Sequence, residues 1–271
     1  MVNALPPTVQ LKLEQVLSQW RAWQQPPLSQ PQVQQRLGDG QSNFSVKVGD
    51  GEHSWVVRLD GFEPGLLGLS RSAELRAHRL AAQRLLAPEP VYNNPELGAL
   101  VCVYCPPDSQ TLAGTQELQE LGQLLREIQQ LPAIKLRLQP ARRVQHYLRH
   151  LPQQRLSEEF TAACTRAQHY ERSALMCHND LLRANRVRSQ GKLLALDWEY
   201  AACGDPWFEI AVIAEGDQLG ESELEILITT WLQRAATEEE HQRLQDQRCI
   251  YREMARLWLL AYKTLATDSA R

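Results

Sequence analysis

One stretch of this chain carries residue types at a spacing suited to phosphoryl transfer. Cys177-His178-Asn179-Asp180-Leu181-Leu182-Arg183-Ala184-Asn185 is followed, beyond Arg186 to Leu196, by Asp197-Trp198-Glu199-Tyr200. The order is H-x-D-x-x-x-x-N, a short hairpin, then D-x-E. Transfer to an alcohol asks for one carboxylate that accepts the hydroxyl proton. It asks also for a second carboxylate and a carboxamide oxygen that hold Mg²⁺ against the β- and γ-phosphates. A turn between two strands lets Asp180 and Asn185 face one space, and the hairpin returns Asp197 beside them. Each residue alone has a plainer reading, since an Asp in a loop is commonly a turn former or a helix cap. The ordered set favours the chemistry.

The surrounding pattern supplies elements to carry that set. Residues 8–24 place Val9, Leu11, Leu13, Val16, Leu17 and Trp20 at helical spacing and stop at Gln24-Gln25-Pro26-Pro27. From 35 to 59 the period becomes two: Phe44, Val46 and Val48 alternate, Gly49-Asp50-Gly51 turns, and residues 55–59 follow as the second arm of a β-hairpin. Residues 70–86 read as a helix closed by Pro88, and residues 90–92 and 100–104 as strands around Asn93-Asn94-Pro95. Pro106-Pro107-Asp108-Ser109 reads as a linker. Beyond it helices are expected over 115–130, 141–150, 158–170, 206–216, 222–235 and 237–263. Ser222…Glu225 and Thr237…Glu240 read as capping boxes. Between 174 and 200 the apolar pieces are short and fit small strands carrying loops. The expected class is α+β: a β-rich lobe over 1–105 with one inserted helix, then a mainly helical lobe over 106–271, with a cleft between.

Composition narrows the partners. Of 271 residues, 43% are hydrophobic and 23% charged, the make-up of a chain that buries a core. Lys+Arg 29 against Asp+Glu 32 leaves −3, which argues against nucleic acid as the main partner. No apolar run approaches the ~18 residues of a membrane span. The start has neither the basic nor the apolar stretch of a signal peptide, so the cytoplasm is the expected compartment. The six cysteines are scattered and are expected as reduced, buried thiols. Cys102 and Cys105 form a C-x-x-C on a predicted strand, where residues three apart face opposite ways and cannot share a metal. Nothing here sets an oligomeric state.

The 177–185 segment resembles the aminoglycoside phosphotransferase / choline kinase family, which has the two-lobed protein-kinase-like fold. Residues 177–181 and Leu196-Asp197-Trp198-Glu199-Tyr200-Ala201 are especially similar to its choline-kinase and thiamine-kinase branches. The resemblance implies ATP and Mg²⁺ as cofactors, Asp180 as catalytic base, and Asn185 and Asp197 as metal ligands. His178 would brace the loop. Glu199 would support metal or substrate, or be a simple exposed acid. Gly38-Asp39-Gly40-Gln41-Ser42-Asn43 would lie over the phosphates with Ser42 and Asn43 as donors. The pattern lacks a third glycine, however, and a plain β-turn also fits. Arg58 takes the place of the kinase lysine, as in the choline-kinase branch, and a guanidinium fork suits phosphate. Glu74 on the next helix would hold it; a surface Arg and a helix-surface Glu is the plain alternative. The segment 103–106 would pass the adenine. Asp205, in Gly204-Asp205-Pro206, matches an aspartate that steadies the catalytic loop, and an Asp-Pro pair is equally a helix N-cap.

The acceptor expected on this resemblance is a small cationic alcohol of the thiamine/choline class, met by carboxylates and aromatic faces. Trp198 and Tyr200 adjoin Asp197 and are the aromatic candidates, against the commoner reading that aromatics at such spacing are core. An aminoglycoside, sugar or amino-sugar kinase of the same fold is the first alternative. A non-catalytic nucleotide-binding pseudokinase is the second, disfavoured because such a site has no need of Asp180, Asn185 and Asp197 together.

Overall fold

A computed structural model describes residues 5–38, 43–110 and 112–269. The chain forms two compact units, Met1–Pro64 with Pro88–Pro106, and Gly65–Ala87 with Pro107–Arg271. Each has its own core.

In the first unit, α1 (Pro7–Ser18) opens on a proline, whose missing N–H is no loss at a helix start. Its buried Val9, Leu13, Val16 and Leu17 recur along one face. The helix ends before the expected Gln24, and a single 3₁₀ turn, Trp20–Ala22, delivers the buried Trp23. Strands β1 (Gln32–Leu37), β2 (Asn43–Gly49), β3 (Ser54–Asp60), β4 (Pro90–Asn94) and β5 (Ala99–Val103) make one antiparallel sheet in the order β1-β2-β3-β5-β4. β1 starts before the alternation and its residues are mainly polar and mostly exposed, as suits an edge strand. The β2–β3 hairpin turns at Asp50, whose Oδ1 accepts the N–H groups of Glu52 and His53. Val46, Val48, Trp55, Val57, Leu59, Val91, Ala99 and Val101 form the sheet's share of the core.

The second unit begins with α2 (Arg71–Ala82), capped by the Ser70 hydroxyl on Ala73 N–H. The sequence reading assigns this helix to the first lobe. Its Ala77 and Ala81 instead pack into the core of the second unit. It also stops short of residue 86, because Leu85 takes a left-handed φ of 57°. Then follow α3 (Thr115–Gln129), α4 (Pro140–Leu148), α5 (Glu158–Ala167), β6 (Leu175–Cys177), β7 (Arg186–Ser189), β8 (Lys192–Ala195), β9 (Ala202–Gly204), α6 (Pro206–Gly216), α7 (Glu221–Leu232) and α8 (Glu238–Ser269). β6 pairs with β9 and β7 with β8, both antiparallel. β9 has no counterpart in the sequence reading, three residues being too few to show a period. α6 is buried all round from Pro206 to Ala214, the mark of a helix at the centre of its unit. α8 packs on α4, α5 and α6, and α3 on α7. The Thr237…Glu240 box forms, whereas α7 starts one turn-position early, with Glu223 accepting the Gly220 N–H in place of the expected Ser222…Glu225 pair. All six cysteines are unpaired; Cys177 and Cys203 are buried and the others half-buried. Among the described residues no helix is long and apolar enough to cross a membrane.

Candidate active site

The segment singled out by sequence runs from the end of β6 to the start of β7, and the hairpin β7–β8 carries the chain back to Asp197. Asn185 closes a 3₁₀ turn, Arg183–Asn185, and from there its Nδ2 donates to Asp180 Oδ2 at 2.7 Å and to the Asp180 carbonyl at 2.9 Å. The Asn185 carbonyl accepts the Leu196 N–H at 2.8 Å, so the strand leading to Asp197 is tied to the same turn. Asp197 then takes a left-handed conformation, φ 55° and ψ 75°. Asn179 does so too, at φ 64°. Asn and Asp accept this region better than other side chains, at a cost of about 1–2 kcal/mol. These two reversals bring 180, 185 and 197 to one place.

The loop is held from beneath. Glu209, fully buried in α6, accepts the backbone N–H groups of His178 (3.2 Å) and Asn179 (2.8 Å). His178 Nε2 bonds the Leu196 carbonyl at 2.8 Å, and its Nδ1 accepts the Asp180 N–H at 3.3 Å. That pair of contacts fixes a neutral ring protonated on Nε2, and burial draws its pKa down to about 4. The Trp198 indole stands edge-on to this imidazole at 4.8 Å and donates to the Ala195 carbonyl. Asn179 Nδ2 reaches the Tyr200 carbonyl at 3.1 Å. Loop, hairpin end and α6 are one hydrogen-bonded block.

Negative charge gathers here. Burial, with the carboxylates of Asp197 and Glu199 nearby, pushes the Asp180 carboxyl well above the ordinary range. Burial likewise raises Glu209 to about 7, against the pull of its two N–H donors. Among the described residues no three His, Cys, Asp or Glu side chains form a ready-made metal cage. The donors present are two carboxylates and a carboxamide whose nitrogen is committed to Asp180, leaving Oδ1 as acceptor. That all-oxygen set fits a hard divalent cation, and Mg²⁺ typically takes only one or two carboxylates beside substrate phosphates and water.

The remaining expected residues fall as follows. Glu199 is not an exposed acid: it is 4% exposed and accepts Arg71 Nη1 at 2.9 Å. The same nitrogen meets Glu74 Oε2 at 2.8 Å, so Arg71 joins the two buried acids. Arg58 is buried in β3 with Asp60 Oδ1 3.9 Å from its Nη2. Asn43 is buried at the start of β2, while Ser42 and residues 39–41 of the glycine loop lie outside the described residues. Asp205 caps α6 through Trp207 N–H and binds Arg243 and Gln247 of α8. Trp198, a candidate acceptor contact, is wholly buried, and its place in the core corrects that expectation. Tyr200 is half-buried, with the Arg143 guanidinium 5.9 Å from its ring centre. Arg143 and Tyr147 of α4 and Tyr251 of α8 border the same region, since the Asp180 charge acts on Tyr147, Tyr200 and Tyr251 alike.

Sequence reasoning passed over Arg71 and Asp217, and reads Glu209 only as one of the carboxylates near the aromatics, not as the acid beneath the loop. Glu209 had a signal: it is the one charge in the otherwise apolar run Pro206-Trp207-Phe208-Glu209-Ile210-Ala211-Val212-Ile213-Ala214. A buried acid requires partners.

A model of the phosphotransferase enzyme family, APH, matches residues 33–246. The chain belongs to this family. The match covers most of the chain, from the first strand to the last helix. Among relatives, Protein LicA of Haemophilus influenzae is 38% identical over 55 residues, 20% of this chain and 21% of that protein. A LicA homolog of Metamycoplasma hominis is 27% identical over 93 residues, 34% of this chain and 36% of that one. The matched stretches thus span about a fifth to a third of those relatives. A choline/ethanolamine kinase family protein from Mesorhizobium loti superposes with TM-score 0.70 at 21% identity, covering 95% of this phosphotransferase and 87% of that chain. Choline kinase LicA from Streptococcus pneumoniae gives 0.70 at 18%, over 94% and 90%. A spectinomycin phosphotransferase gives 0.59 at 12%, over 94% and 93%. At these identities the likeness shows the two-lobed kinase-like α+β fold.

Proposed function

We propose that this phosphotransferase moves the γ-phosphoryl group of ATP to the hydroxyl of a small cationic alcohol of the choline/thiamine class. The observation that carries the reading is the joining of Asp180 to Asn185, with Asp197 and Glu199 close enough to raise the Asp180 carboxyl. Asp180 orients the acceptor hydroxyl and takes its proton as the new O–P bond forms and ADP leaves. Asn185 Oδ1 and Asp197 are the groups that would hold Mg²⁺, which supplies charge neutralisation at the phosphates. Arg58 and the Ser42–Asn43 end of the glycine loop serve the phosphates, and Glu74 is the helix acid assigned to the nucleotide. His178, Glu199 and Asp205 act on the geometry of the loop. The carboxylates, together with the Tyr200 ring, support a cationic acceptor, in keeping with the choline kinases among the similar structures.

One observation favours a second reading. Arg143 already sets a guanidinium beside Tyr200, and with Trp198 buried that ring is the remaining aromatic of the expected pair. A neutral sugar hydroxyl would not compete with that cation, whereas an ammonium-bearing acceptor would.

The deciding experiment is an acceptor panel of thiamine, choline, ethanolamine, an aminoglycoside and an amino sugar, read by ADP release and by the phosphorylated product. Turnover of choline or thiamine at least ~100-fold above the others in kcat/KM, a difference of about 3 kcal/mol, is expected. Turnover confined to a neutral sugar added to the panel installs the second reading, and turnover confined to the aminoglycoside or amino sugar overturns the choline/thiamine class without it. No turnover, with a melting temperature that still rises on adding Mg·ATP, points to a nucleotide-binding protein without the reaction.

A further inference from the structure

The far end of α6 meets the loop at a second point. Asp217, which closes α6, accepts the backbone N–H of Arg183 on Oδ1 at 2.9 Å and pairs with the Arg186 guanidinium through Oδ2. The pair is buried, with the Arg186 and Asp217 side chains 5% and 3% exposed. Just before it, Gly216 abuts the end of the Leu182 side chain, which a Cβ there would displace. Residues 182, 183 and 186 are the frame of the turn that presents Asn185, whose N–H bonds the Leu182 carbonyl at 2.8 Å. Glu209 holds the loop's entry and Asp217 its exit, eight residues and about 12 Å further along one helix.

We propose that Asp217 is a positioning residue for Asn185, fixing the turn so that the Asn185 amide is preset for a divalent cation. The inference rests on the reading of Asn185 as a cation holder. A carboxylate with one oxygen on a backbone N–H and the other on a buried guanidinium constrains both the turn and the strand that leaves it. Loss of the clamp loosens Asn185, and with it the Asn185–Asp180 hydrogen bonds, while the loop's anchorage at Glu209 through His178 and Asn179 stays in place. Metal affinity is therefore the quantity that responds, ahead of nucleotide affinity in the absence of metal.

Removing Asp217 alone strands a buried cation and destabilises the fold for trivial reasons. The informative variant is Arg186→Met/Asp217→Met, since replacing a buried ion pair by apolar side chains is commonly neutral for stability. Mn²⁺ binding to the full chain with saturating ADP, followed by the free-ion electron paramagnetic resonance signal, is the readout, with melting temperature and metal-free ADP affinity alongside. The expected result is a wild-type melting temperature, unchanged metal-free ADP affinity and Mn²⁺ affinity weakened about tenfold, the usual scale for a residue behind a metal ligand. A folded double variant with wild-type Mn²⁺ affinity overturns the proposal. If that variant does not fold, Asp217→Asn, assayed well below its melting point, carries the test by the same criterion. Asn185→Ala separates the two layers. If it leaves Mn²⁺ affinity unchanged, the reading of Asn185 falls. If it weakens Mn²⁺ while the Asp217 variants do not, only the clamp falls.

Discussion

Asn185 donates its side-chain N–H to the Asp180 carboxylate across 2.7 Å, so the proposed base and a proposed cation holder are one hydrogen-bonded unit. The amide nitrogen is also shared with the Asp180 carbonyl at 2.9 Å, which fixes the side chain's orientation. Proton acceptance and cation binding therefore depend on the same few bonds, and substitutions nearby separate them only when aimed at one partner.

Asp197 offers such a separation. Its left-handed backbone suits glycine better than alanine, so Asp197→Gly is expected to be about 1–2 kcal/mol more stable than Asp197→Ala. Both remove the carboxylate and should weaken Mg·ATP binding by about tenfold or more. Calorimetric titration with Mg·ATP and thermal melting check the two parts independently. Nucleotide affinity unchanged in both variants contradicts the metal assignment.

The two buried groups under the loop predict opposing pH effects. Glu209 is raised from 4.5 to about 7, so the folded state holds this proton more tightly and loses stability as pH rises through that window. His178 is lowered from 6.5 to about 4, so stability is lost as pH falls through that window. Each is worth about 3 kcal/mol in full, and between about 4.5 and 6.5 they largely cancel. The raised Asp180 carboxyl adds its own loss of stability with rising pH, so the two variants are read against wild type. Relative to wild type, Glu209→Gln should tilt the melting profile downward towards acid, and His178→Gln should tilt it downward towards neutral pH. Parallel profiles for all three proteins contradict the assignment.

Arg71 links two acids that are almost without solvent contact. Arg71→Met leaves both without their shared cation and should destabilise by about 3–5 kcal/mol. Glu199→Gln in the Arg71→Met background should recover part of the loss. A strictly additive cycle in chemical denaturation would contradict the linkage.

Much of this was legible in the sequence, and unevenly so. The ordered set 178, 180, 185, 197 is local, and short loops between strand pieces leave few ways to arrange it. The β2–β3 hairpin and α3 to α8 follow from period and capping residues, with errors at ends such as Leu85, where one left-handed residue terminates α2 without any glycine to announce it. The surroundings of α2 are not legible locally, because chain order says nothing about which core Ala77 and Ala81 join. Trp198 adjoins Asp197 in sequence, yet the 3₁₀ turn Trp198–Tyr200 points its ring into the core against His178. The Arg71–Glu199 pair spans 128 residues, and no local pattern reports such a contact.

The most direct test of the central claim compares wild type with Asp180→Asn, measuring steady-state ADP and phosphorylated-acceptor formation on the best alcohol of the panel, and Mg·ATP affinity by calorimetry. Asparagine preserves shape and removes the proton acceptor. The account predicts kcat lowered by about 10²–10⁴ with Mg·ATP affinity within a few-fold of wild type. Turnover by Asp180→Asn at the wild-type rate would contradict it.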